Sequence, residues 1–182
     1  LSIAGHKFYA PKGIGALYIR SGVPCDKLIH PADHEQNRRA GTENLLEIVG
    51  LGKACEIAER DREKITAHLQ RMRNRLLNGL MDQLPDVRLN GHSSRCLPNT
   101  LSVGFPGIDI NTLLSNLTEV AASAGAACHV GKEPVSHVLS AMHVPNEYML
   151  GTLRLSVGKH TTEEEIDTAI RLIAEQIRLL PS

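Results

Sequence analysis

The sequence predicts an α/β protein in which short strands alternate with helices laid on a small sheet. Three observations predict it. Between Thr42 and Leu84 two long stretches repeat apolar residues at helical spacing. Beyond Pro85 the chain switches between brief apolar or β-branched runs and short helical patterns. The last pattern opens on Thr161-Thr162-Glu163-Glu164-Glu165, an N-cap followed by acids that the helix dipole favours.

Taken in order, Leu1 to Ile3 reads as the end of a strand and Ile14 to Ile19 as another. Pro11-Lys12-Gly13 supplies turn chemistry between them. Ser21 to Ala40 is polar, rich in Pro, His and Asp and without period, so it reads as a long loop of the kind that carries function. A helix is expected from Thr42, with Leu45, Leu46, Ile48, Val49, Leu51 and Ile57 on its apolar face and Gly50 and Gly52 allowing close packing. A second runs from Asp61 to Leu84 and stops at Pro85. There follow strands at 87–89 and 100–105, a helix at 111–117, a strand at 120–122, a helix at 135–142 and a strand at 153–157. The final helix, Thr162 to Leu180, buries a stripe of Ile166, Ala169, Ile170, Ile173 and Ile177.

Composition narrows the function. With 182 residues, 42% hydrophobic and 22% charged, the chain has the makeup of a globular domain. Twenty basic and twenty acidic residues cancel, which argues against a nucleic-acid partner. No apolar run approaches the ~20 residues of a membrane span. The four cysteines (Cys25, Cys55, Cys96, Cys128) form no Cys-x-x-Cys pair, and the histidines show no metal-ligand spacing, so no metal site is expected. Free thiols fit a reducing, cytoplasmic compartment.

Cys128 stands out among them. It sits in Ala121-Ala122-Ser123-Ala124-Gly125-Ala126-Ala127-Cys128-His129-Val130-Gly131, where nothing is large enough to bury the sulfur. Two glycines let the backbone bend on either side, and the neighbouring imidazole of His129 favours a thiolate. Such a thiol suits a mobile nucleophile, whereas a small core residue is the alternative reading. Cys55, on a helical apolar face, should be better shielded, so Cys128 is expected to alkylate first.

Four other segments join it: Gly5-His6-Lys7-Phe8-Tyr9-Ala10-Pro11-Lys12-Gly13, Arg39-Ala40-Gly41-Thr42-Glu43-Asn44, Leu97-Pro98-Asn99-Thr100 and Arg154-Leu155-Ser156-Val157-Gly158. In this order and at these separations they resemble the cysteine desulfurase and selenocysteine lyase family, enzymes of the class V aminotransferase group that use pyridoxal 5'-phosphate. The resemblance runs from residue 1 to about residue 180. It implies part of a fold-type-I transferase: 1–69 a remnant of the cofactor-binding large domain, and 70–182 a smaller α+β C-terminal domain carrying the cysteine loop. Family members are roughly twice this length, and Lys7 matches a lysine near their middle. The chain is therefore expected to be the C-terminal half of such an enzyme and inactive alone.

The resemblance also assigns roles. Lys7 would form the Schiff base with the cofactor, which needs a long stem and an amine able to lose its proton. His6 would donate to the cofactor phosphate, while Ala4 stands where many relatives carry a further serine donor. Thr42 would reach the phosphate of a partner subunit, implying a homodimer, and a helix N-cap role is compatible with that. Arg154, with Arg39, would bind the substrate, the planar guanidinium matching an α-carboxylate bidentately; a salt bridge to a protein carboxylate is the alternative for Arg154. Cys128 would take sulfur or selenium from L-cysteine or L-selenocysteine, leaving L-alanine, and pass it to an acceptor protein.

Two departures stand against the pattern. Ala32-Asp33-His34-Glu35 replaces a Gly-Gly-Gln-Glu stretch, with only Glu35 matching. Ala-Ala-Cys-His is closer to the selenocysteine lyase branch than to the Ser-Ala-Cys-Thr of iron–sulfur desulfurases. Another class V aminotransferase activity would keep the lysine without needing the cysteine. A non-catalytic oligomerisation module would need neither.

Overall fold

The computed structural model describes residues 1–30, 32–124 and 136–180. The chain divides into two compact units, Leu1–Arg62 and Glu63–Ser182, so the division falls at the start of a long helix.

In the first unit β1 (Ser2–Ala4) pairs antiparallel with β2 (Gly15–Leu17), Ser2 opposite Leu17 and Ala4 opposite Gly15. β2 is shorter than the sequence predicts. Tyr18 N still donates to Leu1 O at 2.8 Å. A 3-10 turn, Gly5–Phe8, follows β1 and closes when Gly5 N donates to Ile14 O (2.9 Å) and Ala10 N to Gly5 O (3.1 Å). A Cβ on Gly5 would stand 2.9 Å from Ile14 O, so only glycine allows that approach.

The long loop contains a short helical turn the sequence did not announce, α1 (His34–Asn37). Glu35, Gln36 and Asn37 there have φ of 54°, 54° and 61°. Left-handed backbone costs a residue with a Cβ about 1–2 kcal/mol.

α2 spans Leu45–Arg60, with Asn44 as its N-cap. Thr42 therefore lies outside the helix, which corrects its expected N-cap role. A second correction concerns the apolar face: Leu45, Leu46 and Val49 are 69%, 87% and 72% exposed. The physical reason lies in the unit's size. Among the described residues its buried hydrophobics are Ala10, Ala40 and Ala54, too little surface to cover a sixteen-residue helix. Cys55 is likewise exposed, with Cys25 and Cys96, so burial does not shield it from alkylation as expected.

The second unit holds α3 (Arg62–Gln83, less its first residue), β3 (Arg88–Leu89), β4 (Thr100–Gly104), α4 (Ile110–Asn116) and β5 (Ser123–Ala124). It continues with α5 (His137–Ala141), α6 (Asn146–Met149), β6 (Thr152–Ser156) and α7 (Glu163–Leu179). The strands form one antiparallel sheet in the order β3-β4-β6-β5. Strand alternation sends Leu101, Val103, Leu153, Leu155 and Val157 to one face, where they are buried against apolar residues of α3 and α7. Each such side chain contributes roughly 1.5–3 kcal/mol on burial. The two helices meet closely at Gly79, where a Cβ would lie 2.4 Å from Ile170 Cδ1. Arg73 Nε donates to Thr100 O at 3.1 Å and fastens α3 to the start of β4.

α7 begins as its sequence predicts, in a capping box: Thr162 Oγ1 accepts from Glu165 N (3.2 Å), and Thr162 N donates to Glu165 Oε2 (2.9 Å). Thr162→Ala should cost this unit about 1 kcal/mol in urea unfolding. Arg75 on α3 bonds Asp167 through two nitrogens at 2.7 Å and Glu163 at 3.0 Å. That hydrogen bonding holds the Asp167 carboxyl below the usual carboxylate range. A carboxyl depressed by folding adds stability above its unfolded pKa and loses it as pH falls through the folded value. Asp167→Asn should therefore lower stability at neutral and alkaline pH, leave it unchanged at the acid extreme, and so flatten the decline on the acid side.

Candidate functional site

Lys7 lies in the 3-10 turn that leaves β1, one residue after His6. Both side chains are exposed, and neither has a hydrogen-bond or ion-pair partner among the described residues. The turn is braced from below. Pro11 packs on α2 at Gly50, where a Cβ would come within 2.7 Å of the proline ring. Gly13, at φ +99°, leaves room for Glu47 of α2, whose Oε2 would lie 2.8 Å from a Cβ there. That oxygen is buried without a hydrogen-bond partner among the described residues, which no local sequence signal announces. The chain thus holds an amine and an imidazole on a fixed turn, open to an aldehyde and an anion.

Thr42 is exposed on the segment leading into α2. Arg39, also exposed, donates from Nη1 to Ala40 O at 2.8 Å. The packing of the turn on α2 brings Lys7 and the Thr42 segment into one compact unit.

Arg154 belongs to the second unit. It lies on the strand the sequence predicts, and the register fixes which way it faces. Leu153 and Leu155 on either side point into the core, so Arg154 stands on the opposite face, exposed. It has no anionic partner among the described residues, so the protein salt bridge finds no support there. Directly across from it are Ser102 on β4 and Ser123 on β5. Sequence reasoning missed this row, although Leu-Ser-Val and Leu-Arg-Leu-Ser-Val carry the alternation that produces it. Asn90 and Thr152, both buried, border the row, with Asn90 Nδ2 3.4 Å from Ser102 Oγ and 3.3 Å from Thr152 Oγ1. Cys128 and His129 lie outside the described residues; β5 ends at Ala124, shortly before them in the sequence.

Residues 1–169 match the family described as aminotransferase class-V. The chain belongs to that family. Among curated relatives, a cysteine desulfurase IscS of Methanosarcina thermophila is 44% identical over 99% of this chain and 45% of its own length. A cysteine desulfurase of Sinorhizobium fredii is 42% identical over 99% of this chain and 47% of its own. Among solved structures, a NifS-like protein superposes with a TM-score of 0.85 at 37% identity, over 98% of this chain and 46% of that one. A NifS-like protein from Rickettsia africae gives 0.84 at 26%, over 97% and 47%. The chain spans about half the length of the curated relatives it matches. Its mixed α/β fold is accordingly part of a fold-type-I transferase.

Proposed function

We propose that the protein to which this chain belongs removes sulfur from L-cysteine with pyridoxal 5'-phosphate, giving L-alanine and a persulfide on Cys128. The observation that carries this is the identity, along nearly the whole chain, to relatives named cysteine desulfurase. Those names favour cysteine over selenocysteine, although Ala-Ala-Cys-His leans the other way.

The residues of the chain fit the cofactor. Lys7 offers an exposed amine with no competing partner, to hold the aldehyde; His6 beside it, with Thr42, offers donors to the phosphate. When bound, pyridoxal phosphate supplies an electron sink for charge developing on the substrate carbons. Arg154 orients the substrate by pairing bidentately with its α-carboxylate, and Arg39 adds positive charge to the substrate approach. The Cys128 thiolate attacks the substrate sulfur. An S–S bond forms, the substrate Cβ–S bond breaks, and a proton replaces sulfur on that carbon. L-Cysteine and a thiol thus become L-alanine and a persulfide, with no external oxidant or reductant. The sulfur then passes to an acceptor protein in the cytoplasm. Thr42 fits a homodimer in which it reaches the phosphate held by a second copy.

In the complete protein, Cys128→Ala should abolish sulfide and alanine formation while the cofactor still binds. Full sulfur release from that variant would refute the assignment. Transamination that survives thiol alkylation would instead favour another class V activity.

A further inference from the structure

The open face of the sheet contains a second group aimed at whatever Arg154 binds. In an antiparallel pair, residues directly opposite share a face, with Cβ atoms about 4.5–5.5 Å apart. Ser102 and Arg154 are such a pair. The direction of the hydrogen bonds around Ser102 follows from Thr152, which is buried. Thr152 Oγ1 donates its one proton to Tyr148 O at 2.8 Å, so toward Asn90 it can only accept. Asn90 must therefore present its Nδ2 to Thr152 Oγ1, and the same nitrogen faces Ser102 Oγ. Ser102 accepts from Asn90, and its own proton is left to donate.

Arg154 has donors only, and it makes no hydrogen bond or ion pair among the described residues. A hydroxyl with a free proton and a guanidinium, paired across two strands on an open face, call for one acceptor with two oxygens. We infer that Ser102 donates a hydrogen bond to the substrate α-carboxylate held by Arg154, and that Asn90 is the positioning residue that turns the hydroxyl toward it. The inference rests on the reading of Arg154 as the carboxylate fork. Asn90 is well suited to its part: it is buried, its backbone N is bonded to Ser102 O at 2.9 Å, and Thr152 fixes its amide orientation. Ser102 therefore adds a donor whose direction is set before substrate arrives.

The test uses the complete protein with its cofactor. Equilibrium binding is measured for L-alanine and for ethylamine, which is the same amine without the carboxylate, alongside kcat and KM for L-cysteine. Ser102→Ala should raise the Kd for L-alanine and the KM for L-cysteine about tenfold, the weight of one hydrogen bond to a charged group. It should leave kcat and ethylamine binding nearly unchanged, and Ser102→Thr should restore wild-type values. Arg154→Gln should weaken L-alanine by about a hundredfold and spare ethylamine. If Ser102→Ala leaves L-alanine binding intact while Arg154→Gln destroys it, the Ser102 role is wrong and the fork stands. If Ser102→Ala weakens both amines equally, the residue is merely structural and the inference fails. If Arg154→Gln leaves L-alanine untouched, the fork reading fails and takes this one with it. Should Ser102→Ala not fold, Ser102→Cys, of similar shape and a much weaker donor, is read in the same way.

Discussion

Mixed with excess pyridoxal phosphate and L-cysteine, the 182-residue chain by itself is expected to release no sulfide above the level of cofactor in buffer. Two physical arguments lead there. The first concerns packing. The unit bearing His6, Lys7 and Thr42 buries three alanines, while Leu45, Leu46, Val49, Leu17 and Tyr18 stand exposed. A two-stranded ribbon and one long helix with so little apolar burial leave the braced lysine turn only a small margin over the backbone entropy of ordering it. The second concerns the cofactor. His6, Lys7 and Thr42 provide an amine and part of a phosphate cradle. No carboxylate on the chain is identifiable as the pyridine-nitrogen partner that the family resemblance implies, nor any ring to stack on it. Three or four missing hydrogen bonds to charged groups, at roughly 1.5–3 kcal/mol each, weaken cofactor binding by several orders of magnitude. The check is a sulfide assay, with cofactor absorbance recorded alongside. Turnover comparable to a full-length relative would show that this chain contains a whole active site.

How much of this was legible in the sequence depended on which force fixed each element. The second unit was largely readable because each of its signals is local and mutually consistent. Thr162 and Glu165 cap the helix they announce, the stripe of Ile166, Ile170 and Ile173 is buried, and Leu101 and Val103 alternate as a half-buried strand should. α2 was readable as a helix, but not in its environment. Helical spacing identifies an apolar face without saying what covers it, and within this unit nothing of sufficient area does. Thr42 misled for a related reason: a threonine before an apolar run is a good N-cap, yet the chain turns at Gly41 (φ +107°) and starts the helix only after Asn44. α1 gave no signal because Glu35 and Gln36 adopt left-handed backbone, which residues of their kind rarely take. The site was legible in parts. Lys7 and Arg154 could be picked out as residues, but the Ser102–Arg154–Ser123 row depends on pairing register, which joins residues far apart in the chain. Glu47 lies beneath Gly13 through tertiary packing alone.

Gly151→Ala should be among the most damaging single substitutions in the second unit, although it adds only one methyl group. Gly151 joins α6 to β6 where the chain passes against the segment after β4. A Cβ there would lie 2.0 Å from Phe105 O, 3.1 Å from Phe105 C and 3.1 Å from Ile108 O. All three are backbone atoms, so no side chain can swing aside to relieve the overlap. Moving the backbone instead would break the bond that Phe105 N donates to Gly151 O at 3.1 Å and shift Phe105 and Ile108, both buried in the core. Overpacking of this kind costs about 3 kcal/mol, comparable to the ~2–5 kcal/mol expected for Leu153→Ala at a fully buried position. The urea midpoint of the chain should fall by roughly 1–3 M. The displacement also reaches the site. Thr152, which orients Asn90, is the next residue, and Arg154 follows on the same strand. In the complete protein the variant should therefore lose L-alanine affinity even at temperatures where it remains folded, whereas Thr162→Ala, which costs stability at the far end of α7's capping box, should not. An unchanged urea midpoint for Gly151→Ala would mean that the segment after β4 can yield without cost and that the close approach is not what holds β6 in place.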